Sequence, residues 1–181
     1  DRLGPGAVER GYMMLPLAFQ QEAGEDWEAA VTTLGEAAEL GVEGGEHDLF
    51  ALAAHERGHI LIIAGRLKEG LALLDEAMVA VIAGELSPIV SGIVYCGVIL
   101  ACQDAHQVAR AREWTAALTR WCERQPDLVA FSGRCLIHRA EIMQLRGAWE
   151  EALEEARRAA ERFTRGVLNE LACGKAHYRQ G

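Results

Sequence analysis

GRLKEGLALLDEA, residues 65–77, and GAWEEALEEARRA, residues 147–159, align position for position. Each opens on glycine, places a bulky apolar residue two positions later, and follows that residue at offsets of 3, 7 and 10 with small or apolar ones. The same phase fits EDWEAAVTTLGEA (25–37) and HQVARAREWTAAL (106–118). Trp27, Leu67, Val108 and Trp149 hold the bulky slot at spacings of 40, 41 and 41. Ala30, Gly70, Ala111 and Ala152, three positions on, keep that spacing. Self-similarity at one fixed period is the signature of a repeat array, in which each unit cannot bury its apolar face alone and stacked units can.

Nine residues before each bulky slot stand Ala18, Gly58, Ile99 and Ala140, with Gly181 one period further. Small residues there let two helices of a hairpin approach closely. Amphipathic segments fill most of the remaining chain, broken by GVEGGEHD, AGELSP and ERQPDL. Helices are expected over 9–23, 26–40, 47–64, 67–83, 88–104, 107–123, 130–146 and 149–164, with a truncated one from about 168. The β-branched IVSGIV (89–94) favours strand locally, but its flanks read as helix. The fold class is therefore all-α: one repeat domain over 1–181, built as a right-handed solenoid of hairpins 9–40, 47–83, 88–123 and 130–164. The final helix lacks a partner, so dimerisation through that end, or aggregation, is expected.

Half of the 181 residues are hydrophobic, a quarter are charged and four are proline, a composition that excludes a disordered chain. The longest apolar run, IVSGIVYCGVILAC (89–102), falls short of the roughly 20 residues of a membrane span. Asp1 rather than Met opens the sequence and no signal segment follows, so the chain is expected to be part of a longer protein with no mark of export. Five scattered cysteines without a C-x-x-C pair point to reduced thiols in a cytoplasm. A net charge of -9 without a basic cluster is repelled by phosphates, so no direct nucleic-acid contact is expected, and no membrane contact.

HERGH (55–59) spells H-E-x-x-H, which in metalloproteases sets two zinc-binding histidines around a general-base glutamate. A third ligand is missing. The metzincin extension needs Gly at 62 and His at 65, where this chain has Ile62 and Gly65. A thermolysin-like ligand would come from Glu69 or Glu76, which fall among ordinary solvated charges of the next helix. Gly58 already has a structural place in the repeat. No enzyme, metal or cofactor is expected, and a zinc hydrolase is the remote alternative. Trp27 and Trp149 are expected in the hairpin core, Cys96 and Cys102 as small core residues, and EEALEEARRAAERF (150–163) as a solvated face with pairs such as Glu154–Arg158.

GHILIIAGRLKEGLALLDEA (58–77) and AEIMQLRGAWEEALEEARRA (140–159) resemble the tetratricopeptide repeat in its order of small, Gly, bulky, Ala, aromatic or Leu, and Ala. Two units depart from it: Glu25 and His106 replace the turn glycine, and Ile99 fills a small slot. The period exceeds the usual tetratricopeptide length and overlaps the HEAT and armadillo range, which stand as architectural alternatives. YCGVILAC (95–102), AREWTAALTRWCERQPDL (111–128) and CLIHRAEIMQLRGAWEEALEEARRA (135–159) are similar to the helical-repeat region of large bacterial LuxR-type transcriptional regulators. No phosphate loop and no basic recognition helix is found, so no catalytic or DNA-binding residue carries over. The resemblance implies a non-enzymatic segment that binds a protein, a peptide or a small acidic ligand and couples it to a DNA-binding domain elsewhere; a free-standing adaptor is the alternative. It also implies a concave groove lined by the first helix of each hairpin, with Phe19, His55, His59, Cys96, Gln103, Arg134, Glu141 and Gln144 as candidate contacts. There Arg134 and the histidines would hold a carboxylate.

Overall fold

The computed structural model describes residue 4, residues 6–125 and residues 129–165, and their side chains except those of 129–133, 135 and 162–165. Among the described residues are eight helices and no strand: α1 (Ala7–Ala23), α2 (Trp27–Gly44), α3 (His47–Ile63), α4 (Leu67–Ala83), α5 (Pro88–Asp104), α6 (Val108–Glu123), α7 (Val129–Leu145) and α8 (Trp149–Arg165). IVSGIV lies inside α5. Ser87 starts that helix by accepting the Val90 N–H on its hydroxyl, and Pro88 follows where no helical N–H is needed. The truncated fifth hairpin and Gly181 fall outside the described residues.

The repeat is written into the backbone angles. Glu25, Gly65, His106 and Gly147 take φ of 61°, 83°, 57° and 74°, at positions 40, 41 and 41 apart. At three of these turns the next residue's N–H returns to the carbonyl five positions back: Asp26 to Gln21, Arg66 to Leu61 and Ala148 to Met143. This closure satisfies the orphan carbonyls of the finished helix and reverses the chain. Asp26 then accepts the Ala29 N–H on its carboxylate and starts α2.

Every small slot is buried: Ala18 against Ala30, Gly58 against Gly70, and Ile99, Ala111, Ala140 and Ala152 in the later helices. In the α3–α4 hairpin, a Cβ on Gly70 would lie 2.5 Å from the Gly58 carbonyl oxygen. Those two helices therefore meet backbone to backbone. Gly41 has the same function one joint earlier, where a Cβ would lie 2.7 Å from the Phe50 nitrogen.

The chain divides into two compact units, Asp1–Ala105 and His106–Gly181. In the first, α2 packs on α1 and α3, and α4 packs on α3 and α5. The first-position helices α1, α3 and α5 are neighbours in that order. Leu34, Leu49 and Ile60 are fully enclosed there, each contributing about 1.5–3 kcal/mol by leaving water. In the second unit α7 packs on α6 and on α8, around Leu136, Ile137, Ala159 and Ala160. None of the described helices is long and apolar enough to cross a membrane.

Two local expectations need correction. Trp149 is 66% exposed, so there the bulky slot is not the hairpin core, whereas Trp27 is half-buried and packs against the edge of the core of the first hairpins. That slot is the first residue of a helix beside the turn, where the hairpin encloses one side only, and the small slots carry the close contact. The EEALEEARRAAERF face is not wholly solvated either. Glu155 is buried, and its Oε1 accepts from Arg139 at 2.8 Å and Arg158 at 3.0 Å, which ties α7 to α8. Glu154 pairs with Arg157 rather than Arg158, at 4.0 Å.

Candidate functional site

His55, Glu56 and His59 occupy the middle of α3, and the four-residue spacing puts both imidazoles on one helical side. His55 points inward. Its Nδ1 donates to the Ala51 carbonyl at 3.0 Å, which fixes the proton on Nδ1 and leaves Nε2 as the acceptor. The ring lies on α5 at Gly97, where an added Cβ would come within 2.5 Å of Cδ2 and 2.8 Å of Nε2. Burial lowers the His55 pKa to about 4, the Ala51 carbonyl restrains the fall, and neighbouring His59 adds to it. The ring is neutral at neutral pH.

His59 reaches the other end of α5, with Nε2 at 2.8 Å from Asp104 Oδ2. Glu56 adjoins the first ring, its carboxyl oxygen 3.6 Å from His55 Nε2. Burial raises the Glu56 pKa and so does the charge of Glu22 on α1, with His59 pulling the other way. The H-E-x-x-H residues thus brace α3 against α5. The His55 Nε2 acceptor faces Gly97, whereas His59 Nε2 donates to the Asp104 carboxylate, so the two nitrogens do not direct lone pairs to a common point. Among the described residues no group of three or more His, Cys, Asp or Glu is placed to hold a metal ion.

The remaining groove candidates divide between the two units. In the first, Phe19 is 50% exposed, Gln103 is half-buried, and Cys96 is buried as a reduced thiol beside Gly97. His55 and Cys96 therefore offer no side chain to solvent, whereas Phe19, Ile93 and Leu100 do. In the second, Arg134, Glu141 and Gln144 are half-buried on α7, and Glu141 Oε2 stands 3.4 Å from Nδ1 of the buried His138. The structure brings His55 and His59 together with α5 and keeps Arg134, Glu141 and Gln144 on one helix.

Sequence reasoning missed two recesses. One runs along α2, α3 and α4 as adjoining clefts of about 270 and 310 Å3 that share Val42, Phe50 and Glu76. Glu39, Glu43, Glu76 and Glu85 make it acidic. The other, of about 390 Å3, lies between α6 and α7 and is lined by Arg112, Arg120, Arg139 and Arg146 around Ala116, Ile142 and Met143. Its signal in the sequence was present as arginines eight apart on α6 and seven apart from α7 into its turn. That signal stayed hidden because each pair is mixed with other charges and the cleft exists only once the two helices are side by side.

No protein-family model matches the chain, and no curated protein is significantly similar to it. Its functional reading rests on the repeat geometry and on these surfaces.

Proposed function

We propose that this chain is a tetratricopeptide-like interaction segment of a bacterial, cytoplasmic LuxR-type transcriptional regulator. In this reading the hairpins stack as a right-handed solenoid, bind a protein, a peptide or a small acidic ligand, and relay that event to a DNA-binding domain outside the segment. The observation that carries the reading is the set of left-handed turns at Glu25, Gly65, His106 and Gly147, in register at 40, 41 and 41 residues. Backbone turns repeating at one period, each followed by a helix with a small residue in its first turn, are how helical-repeat proteins present an extended binding face. The use of HERGH as a brace between two helices supports binding over catalysis. So does the mixed character of the first helices, on which apolar Phe19, Ile93 and Leu100 are exposed and polar His59 and Gln103 half-buried.

Sequencing the native gene on both sides of this segment tests the assignment. A reading frame that continues into a further hairpin and then a basic helix-turn-helix is the expected result. A frame that encodes repeats alone refutes the regulator and leaves a free-standing adaptor.

A further inference from the structure

The chain carries a net charge of -9, yet the α6–α7 cleft collects four guanidinium groups around an apolar floor. Arg139 is already committed, since its Nη2 donates to Glu155. Arg112, Arg120 and Arg146 are exposed at the cleft, and no carboxylate of the described residues pairs with them. Three cations without counter-charges among the described residues, in a protein with an excess of acid, are a local reversal of sign. Such groups repel one another weakly through solvent, and an anion placed between them replaces that repulsion with attraction.

The floor says what else that anion must have. Ile142 is buried, Met143 half-buried, and Ala116 lies open across from them, while the hydroxyls of Thr115 and Thr119, which also line the cleft, donate to carbonyls of their own helix, so the centre of the cleft is mainly hydrocarbon and sulfur. Its volume of about 390 Å3 lies in the range of small-molecule pockets, which run from about 300 to 1,000 Å3. Five residues join α6 to α7, a link that makes neighbouring helices antiparallel. Arg112 near the start of α6 therefore stands by Arg146 just after α7, and Arg120 stands by Arg139. The separation of Arg112 and Arg120 along α6 is about 12 Å at 1.5 Å per residue. A fork of two guanidinium groups at one end of an apolar trough suits a planar carboxylate bound through paired charge-assisted hydrogen bonds.

We infer that the α6–α7 cleft binds an amphipathic organic monoacid, with its carboxylate between Arg112 and Arg146 and its apolar body along Ala116, Ile142 and Met143. Arg120 closes the far end and widens the attraction for the anion. The inference rests on the reading of the chain as an interaction module and names a ligand class for it.

The test is isothermal titration of the whole chain with octanoate, octanol and octyltrimethylammonium, three molecules that share a tail and differ in head charge. Octanoate should bind about tenfold or more tighter than either of the others, the ratio expected of one good charge-assisted contact. The R112A/R120A/R146A variant should lose that preference, and Arg→Lys at the same positions should restore part of it. All three positions are exposed, so unchanged helical circular dichroism is expected. Ala116→Trp, also at an exposed position, fills the trough while keeping every charge and should abolish binding. Equal binding of octanoate and octanol, no octanoate binding, or full affinity in the triple variant overturns the proposal. Flanking gene sequence scores the module reading separately, so the failure of either one is visible without the other.

Discussion

Replacing Gly70 with alanine puts one methyl group where two helices touch through their backbones. The new Cβ would lie 2.5 Å from the Gly58 carbonyl oxygen, 2.7 Å from Ile62 Cγ1 and 3.1 Å from the Ile62 nitrogen. Ordinary contact starts near 3.4 Å, so α3 and α4 must separate by roughly 0.9 Å, in an interior packed as densely as an organic crystal. Over-packing of this kind costs about 1–3 kcal/mol, and the better helix propensity of alanine returns about 1 kcal/mol. Because the clash is with backbone rather than the movable end of a side chain, the cost falls in the upper part of that range, about 2–3 kcal/mol, and a net loss of about 1–2 kcal/mol follows, or about 2–8 °C in melting temperature for a chain of this size. Thermal and urea melts followed by helical circular dichroism read this directly. Gly35→Ala is the matched control, because its Cβ would meet only the movable end of Arg57, with Cζ at 3.2 Å. It should be neutral or raise stability by up to about 1 kcal/mol. A Gly70→Ala protein that melts at or above the parent temperature would show that the α3–α4 contact is not the constraint described.

The turn residues give an opposed pair of substitutions. Glu25 holds a left-handed φ of 61° without being glycine, so Glu25→Gly should stabilise by about 0.5–1 kcal/mol, and Gly65→Ala at φ 83° should destabilise by about 1 kcal/mol; chemical denaturation that ranks them the other way would refute the shared turn geometry. His55 supplies a pH signature. Its folded pKa of about 4 lies below the ordinary histidine value of 6.5, so between these values the unfolded chain holds the extra proton and the fold loses stability as pH falls. The loss approaches about 3 kcal/mol by pH 4 and is absent above pH 6.5. Glu56, raised by burial, acts in the opposite sense in parent and variant alike. The parent-minus-His55→Leu difference in unfolding free energy should therefore climb from pH 4 to 6.5 and level off, and a flat difference would place His55 in water.

The helices were legible because small residues and turns recur at one period, and most boundaries fall within two residues of expectation. The exception is informative. GVEGGEHD reads as punctuation from Gly41, yet α2 continues through Gly44. Gly41 is there for a crossing, against the Phe50 backbone, and not for a stop. Glycine serves both purposes, and only the neighbour across the joint tells them apart. The candidate face was legible in part. Spacing placed His55 and His59 together on α3, but their depth was hidden: α5 is apolar on nearly every side, so its sequence does not reveal that Gly97 admits the His55 ring or that Cys96 is interior. The arginine cleft belongs to two helices at once and has no pattern within either.

Within each of the two units, every described helix packs on helices one or two places away in the chain. Such a pattern of contacts has low contact order, so little loop-closure entropy stands between the unfolded chain and its partners. During synthesis α1 meets α2 as soon as residue 44 is clear of the ribosome, and α3 then finds a finished surface to dock on. Within a unit no helix waits long with its apolar side exposed, because a partner has either just formed or is among the next residues to emerge.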